Sequence, residues 1–237
     1  QNIVIRCISE KDTGMYDAIN KGFNIATGDI YAWINSDDYY LPNAFNSILK
    51  TFLKFPNIKW VKGITDFLNE KTGKYNKRKC LLYNQKWIEM GIYGRNAYFI
   101  HQDSVFWKSD LWNKAGQIDT SLKLAGDYYL WIKFSKYEQL WSLNKSLSCF
   151  RKREKQLSSN MKLYRKEQAL ISCEKGWLNL KIKLFFWFNQ KISKIFNDNF
   201  TSKLYYIIFN NIKKEYLEIN NSDTPTIKTA KTYFIKN

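Results

Sequence analysis

Asp29-Ile30-Tyr31-Ala32-Trp33-Ile34-Asn35-Ser36-Asp37-Asp38 is the stretch on which the reading of the fold turns. Its continuous apolar run, Ile30 to Ile34, suits a strand buried on both faces, and Asn35-Ser36-Asp37-Asp38 ends it abruptly. On the amino-terminal side, Tyr16, Ile19, Phe23 and Ala26 recur at helical spacing, and Gly28 follows where a C′ glycine belongs. On the other side, Leu41-Pro42 leads into a second amphipathic stretch with Phe45, Ile48, Leu49, Phe52 and Leu53 along one face. Helix, strand and helix in alternation predict an α/β sheet with parallel strands.

Ligands of open α/β sheets bind beyond the carboxyl ends of the strands, and Asp37 and Asp38 sit at such an end. Paired carboxylates among oxygen-rich neighbours are the ligand set for Mg²⁺ or Mn²⁺. A cation there neutralises charge that builds on a diphosphate leaving group. Taken alone, two aspartates serve equally well as a helix cap or a turn. The buried run before them and the polar Asn35 beside them favour a site.

Further along, Lys59–Phe67 reads as a strand, 69–73 as a turn and 80–100 as loop-rich. Ser104–Trp107 reads as a strand, Ser109 as the cap of a helix that stops at Gly116, and 127–136 as a helix holding Asp127, Trp131 and Phe134. Beyond residue 150 the character changes. Segments 177–196 and 202–217 read as basic, aromatic helices, and 220–237 lacks periodicity and reads as irregular. In 177–196, Lys181, Lys183, Lys191 and Lys194 punctuate Leu184-Phe185-Phe186-Trp187-Phe188. This pattern suits helices lying in a head-group plane with lysines reaching toward phosphates. A helical cap packed on the domain, with its aromatics buried, is the alternative.

Composition bounds the answer. Hydrophobic residues at 45% exclude a disordered chain, and the 17% aromatic share must pack, stack on ligands or sit at an interface. The net charge of +17 is uneven, with +6 over residues 1–150 and +11 over 151–237. A basic tail on a nearly balanced body points to an anionic surface, either lipid head groups or nucleic acid. None of the usual nucleic-acid recognition motifs is present, so a nucleic-acid partner is not expected. A basic, aromatic nucleic-acid-binding protein remains the rival reading. The cysteines Cys7, Cys80, Cys149 and Cys173 are scattered and there is one histidine, His101, which argues against a zinc cage and for free thiols in a reducing cytoplasm. His101 itself reads as a structural residue ordering a loop. No apolar run reaches the ~18–20 residues of a spanning helix. The chain opens on Gln1 and runs at once into Ile3-Val4-Ile5, which leads us to expect a preceding segment.

Three blocks together carry a resemblance. Ser9-Glu10-Lys11-Asp12-Thr13-Gly14-Met15-Tyr16-Asp17-Ala18-Ile19-Asn20-Lys21-Gly22, then Ala26-Thr27-Gly28-Asp29-Ile30, then Asn35-Ser36-Asp37-Asp38 closely resemble glycosyltransferase family 2. A second region, His101-Gln102 through Gly116 to Asp119, followed by Ala125-Gly126-Asp127-Tyr128-Tyr129-Leu130-Trp131, is similar to later blocks of that family. The likeness covers residues 1 to about 158. It implies a GT-A fold, a Rossmann-like mixed sheet flanked by helices, lacking its first βαβ portion and carrying a C-terminal helical extension. The implied organisation is a transferase domain over 1–158, a basic aromatic extension over 159–219 and an irregular tail over 220–237.

The resemblance also implies an activity: inverting, metal-assisted transfer of a sugar from a nucleoside-diphosphate sugar, most simply a UDP-sugar, to a glycan or lipid-linked hydroxyl acceptor. That places the chain in the cytoplasm, peripheral at the inner membrane face. By the same resemblance Asp37 is the metal and diphosphate ligand with Asp38 beside it, and Asp127 is the general base. Asp12, Asn20 and Lys21 match positions lining the nucleotide side. Asn35 stands where many relatives have a first aspartate, Arg153 where many have a metal-proximal histidine, and Tyr129 where an aspartate is common. With these departures and the absent first segment, an inactive transferase-like scaffold is a further alternative.

Overall fold

The computed structural model describes residues 5–94, 97–154, 156–171, 177–192, 198–209, 214–219, 223–231 and 233–235. Its helices are α1 (Met15–Ile25), α2 (Ala44–Lys54), α3 (Gln85–Glu89), α4 (Ser109–Ala115), α5 (Gly126–Ser135), α6 (Met161–Ile171), α7 (Trp177–Ile192) and α8 (Asp198–Ile208). The strands are β1 (Ile30–Tyr31), β2 (Tyr39–Tyr40), β3 (Trp60–Asn69), β4 (Lys74–Asn76), β5 (Cys80–Leu81), β6 (Val105–Lys108), β7 (Leu140–Lys152), β8 (Lys214–Ile219), β9 (Pro225–Ala230) and β10 (Phe234–Ile235).

The long strands β3 and β7 form the spine. They pair in parallel from Trp60↔Leu140 to Asn69↔Lys152, with register shifts between Lys62 and Thr65. Gly63 lies at that irregularity, where a Cβ would fall 2.3 Å from the Leu147 side chain. The main strand order is β1-β6-β3-β7-β8-β9, with β2 joined to β7 and β4 to β3. Because β6 is antiparallel to both β1 and β3, those two run in the same direction as β7 and β8. The sheet is therefore mixed, with β1, β3, β7 and β8 co-directional and β2, β4, β6 and β9 opposed to them.

Large aromatic residues fill the space between the sheet and helices α1, α4 and α5. Trp60, Trp107 and Phe134 are fully buried, and Trp131 is nearly so. Trp131 meets Trp60 at 5.9 Å and Trp107 at 5.9 Å between ring centroids. Ile182, Phe185 and Phe186 of α7, with Tyr205 of α8 and Phe209, belong to the same core cluster.

Several boundaries differ from the sequence reading. Of the run Ile30–Ile34, only Ile30 and Tyr31 join the ladder, and Ala32–Ile34 continue half-buried. Among the described residues β1 is an edge strand paired only with β6, yet both its faces are covered, Tyr31 and Trp33 packing into one core cluster and Ile30 and Ala32 against another. Helix α1 ends in an extended Ala26 rather than on a left-handed glycine. Helix α2 buries Ala44, Ser47, Ile48, Thr51 and Phe52, leaving Phe45, Leu49 and Leu53 exposed. Helix α8 ends at Ile208, and the strand Lys214–Ile219 takes up residues 214–217, expected to be helical. The stretch 220–237, expected to be irregular, holds β9 and β10, which pair with β8 and β5. The physical reason is tertiary: open edges at β7 and β5 offer hydrogen-bond ladders that no local periodicity announces. Residues 193–196 and 210–213 of the two expected helices lie outside the described residues.

Candidate active site

The acidic turn is built where β1 runs out. Asp38 N–H donates to Asn35 O at 3.0 Å, closing a turn around Ser36 and Asp37. Tyr39 and Tyr40 then pair with Cys149 and Ser148 of β7, which lays the turn beside Arg151. Arg151 N–H donates to Asp38 Oδ1 at 2.9 Å, and its Nε donates to the Asp37 carbonyl oxygen. Gln156 Nε2 donates both to Asp37 Oδ2 at 2.8 Å and to Arg151 O at 2.6 Å. Glu70, beside the end of β3, pairs with Arg151 Nη1 at 3.1 Å and with Arg153 Nε at 3.3 Å.

Asp38 is buried, and its Oδ2 has no hydrogen-bond partner in this structure. Burial pushes its carboxyl up to about 7, opposed by the Arg151 N–H and reinforced by the negative charges of Asp103 and Asp37. This donor set fits a hard divalent cation. Mg²⁺ characteristically uses one or two carboxylates and completes its shell with water and phosphate oxygens. Asp37 and Asp38 offer that number, one with an orphaned oxygen. Among the described residues no preformed group of three or more His, Cys, Asp or Glu side chains could hold a metal alone.

Asp127 occupies the first turn of α5, half-buried. Its Oδ1 accepts from Tyr128 N–H at 2.7 Å. Burial raises its carboxyl to about 7; backbone N–H groups oppose the rise and the neighbouring Glu167 carboxylate adds to it. A carboxyl poised near neutrality is what proton abstraction from a hydroxyl requires. Tyr16 of α1 fixes the loop ahead of it: its hydroxyl donates to Leu124 O at 2.7 Å and accepts from Gly126 N–H at 3.0 Å.

The remaining residues singled out from sequence lie on and around α1. Asp12 is exposed, and its Oδ1 accepts from Gly14 N–H at 3.0 Å. Asn20 is buried, and its amide grips the backbone of Ile118 from both sides, donating to O at 2.8 Å and accepting from N–H at 3.0 Å. Lys21 donates to Lys11 O at 2.7 Å and pairs with Glu10 at 3.3 Å and Asp17 at 3.4 Å. It is thus a partnered cation rather than a lone one. Arg153, one residue past the end of β7, likewise answers Glu70, while Arg151 within β7 is the arginine that touches the acidic turn. His101 sits among Phe67, Phe99 and Phe150, and burial holds it neutral with a pKa pushed down to about 3.

Sequence reasoning missed Glu70, Arg151, Gln156, Glu167 and Tyr16. Only Arg151 carried a local signal, standing in the same short basic run as Arg153.

Residues 1–123 match the family described as glycosyl transferase family 2. Uncharacterized glycosyltransferases of Rickettsia typhi and Rickettsia prowazekii are each 24% identical over 134 residues, covering 56% of this chain and 42% of the relative. The chain thus spans less than half the length of these curated relatives. A crystal structure of S. aureus TarS residues 1–349 in complex with UDP-GlcNAc superposes with a TM-score of 0.50 at 15% identity. That likeness covers 83% of this chain and 58% of TarS 1–349, and it establishes the GT-A fold. With the family match extending over 123 of its 237 residues, this chain belongs to glycosyl transferase family 2.

Proposed function

We propose that this chain carries the acceptor side and the metal turn of an inverting glycosyltransferase that uses a nucleoside-diphosphate sugar. The observation that carries the reading is the joining of two acidic elements through one core. Trp33, just before the turn of Asp37 and Asp38, stacks on Trp131, one helical turn beyond Asp127. Asp127 accepts the proton of an acceptor hydroxyl as that oxygen attacks the anomeric carbon. The bond to the diphosphate breaks on the opposite face, and the configuration inverts. Asp37 and Asp38 would hold Mg²⁺ or Mn²⁺, which supplies positive charge to the departing diphosphate. Arg151 and Arg153, anchored on Glu70, lie on the same side and lend further positive potential. Asp12, Lys21, Asn20 and Asn35 belong to the donor side of this reading, with Asn20 acting through the loop it grips at Ile118. The UDP-GlcNAc bound to TarS makes a UDP-sugar the first donor to try.

The decisive measurement is transfer or hydrolysis from a panel of nucleotide sugars by the full-length protein, with Mn²⁺ and with EDTA. Turnover that EDTA abolishes is expected. Absence of both turnover and Mn²⁺-dependent UDP binding overturns the proposal.

A membrane-surface location forms a second part of the proposal, with a lipid-linked acceptor and the cytoplasmic face of the membrane as its setting. Trp177, Leu180, Leu184, Trp187 and Phe188 are exposed along one side of α7, with Lys181 among them, while Ile182, Phe185 and Phe186 are buried on the other. No helix among the described residues is long and apolar enough to cross a membrane. The stripe suits a helix lying in the head-group plane. Co-sedimentation with anionic vesicles is expected for the protein and is reduced by replacing Trp177 and Trp187 with alanine. Failure of the unaltered protein to pellet overturns this part.

A further inference from the structure

Helix α6, like α5, lies beyond the stretch matched to the family, and its Glu167 reaches the backbone just ahead of Asp127. Glu167 of α6 is 7% exposed, and its carboxylate accepts three consecutive backbone N–H groups. Lys123 N–H donates to Oε1 at 2.8 Å, and Leu124 and Ala125 N–H donate to Oε2 at 2.9 and 2.8 Å. These are the residues immediately before α5, on which Asp127 stands. Successive N–H groups converging on one oxyanion form a nest, and charge-assisted hydrogen bonds of this kind are about twice as strong as neutral ones. The next N–H, that of Gly126, is taken by the Tyr16 hydroxyl. Four donors in a row are thus fixed by side chains from two different helices. Around them Ala125, at the N-cap of α5, and Tyr128 and Ile132 of α5 pack against Tyr164 and Ile171 of α6.

We propose that Glu167 is a positioning residue for Asp127: its buried carboxylate locks the 123–125 backbone and thereby fixes where α5 begins and where the base is held. This inference rests on the reading of Asp127 as the base. The same carboxylate has an electrostatic consequence. The titratable groups facing Asp127 are Tyr16 from α1 and Tyr164 and Glu167 from α6. Glu167 is the acidic one, and its negative charge makes Asp127 a stronger base. One side chain therefore sets both the geometry and the basicity of another.

Two variants of the full-length protein separate these effects. Glu167→Ala removes all three hydrogen bonds. Amide hydrogen exchange at residues 123–125 is expected to rise at least tenfold, and kcat to fall while the donor KM stays unchanged. Glu167→Gln keeps the shape and removes the charge. The titration midpoint of the Asp127 carboxyl, followed by NMR on protein labelled at aspartate carboxyl carbons and assigned with Asp127→Asn, is expected to move down. The acidic limb of the pH–rate profile moves with it. Unchanged exchange in Glu167→Ala, or an unmoved Asp127 midpoint in Glu167→Gln, overturns the proposal. If Asp127→Asn retains transfer, the base assignment fails and the positioning role falls with it. If Asp127→Asn is inactive while Glu167→Ala matches the unaltered protein in kcat and exchange, only the role of Glu167 fails.

Discussion

Trp33 lies nearly face to face with Trp131, with ring centroids 5.8 Å apart and planes 15° from parallel. The first precedes the acidic turn by two residues, and the second follows Asp127 by four. Both rings also meet Trp107, at 5.6 and 5.9 Å, so the acidic turn and helix α5 share one aromatic block. Offset and tilted aromatic contacts add about 0.5–1.5 kcal/mol per pair beyond burial. Trp131→Ala is expected to cost about 3–5 kcal/mol, read from denaturant unfolding. A Trp33→Leu and Trp131→Leu double-mutant cycle is expected to give coupling in both stability and kcat. Strict additivity in kcat would show that the stack does not link the two elements.

Asp127→Asn removes the proposed proton acceptor but retains nearly the same shape. Transfer is expected to fall by about 10²–10⁴-fold, while calorimetric binding of donor with Mn²⁺ stays within about twofold of the unaltered protein. Lost donor affinity would reassign Asp127 to the donor pocket.

The raised carboxyl of Asp127 has a pH consequence with a defined sign. Below about 7 the group is protonated and cannot take a proton, so kcat/KM is expected to rise with pH and level off above that value. Stability runs the other way. Since the folded state holds this proton more tightly than a free aspartate does at its usual 3.8, its contribution is full below that pH and is lost as pH rises through about 7. Melting of Asp127→Asn compared with the unaltered protein between pH 4 and pH 8 checks this. The asparagine variant is expected to gain relative stability toward pH 8.

Asp37→Asn and Asp38→Asn test the cation site independently of turnover. Each is expected to weaken Mn²⁺-dependent binding of UDP by at least about tenfold, read by calorimetry with and without the metal. Equal UDP affinity in the variants and the unaltered protein would remove Asp37 and Asp38 from the donor site.

Gly126 opens α5 in a space with no room for a side chain. A Cβ there would lie 2.6 Å from Tyr16 Cε2 and 2.7 Å from Ile118 Cγ2. Gly126→Ala is expected to destabilise by about 1–3 kcal/mol and to lower kcat, because the Tyr16 ring must move and it is the Tyr16 hydroxyl that holds the Gly126 N–H. Thermal melting and steady-state kinetics on the same sample check both.

The amino-acid sequence by itself determined the local elements that carry the chemistry. Polar residues stop the apolar run at Asn35, and Gly116, at φ 78°, stops α4 where expected, since both signals are local. Asp127 fell at the start of a helix, as its spacing to Trp131 and Phe134 required. What the sequence did not determine depends on partners far along the chain. The choice of Arg151 over Arg153 for the acidic turn follows from the β2–β7 register. The face that α2 buries is set by what lies against it, not by where its apolar residues fall. Strands β8 to β10 exist because β7 and β5 offer edges to pair with. Glu167 lies 40 residues beyond Asp127, and no spacing rule links a glutamate on one helix to the backbone ahead of another. Local hydrogen-bonding preferences are written in neighbouring residues, whereas burial and charge pairing depend on which distant surfaces the fold brings together.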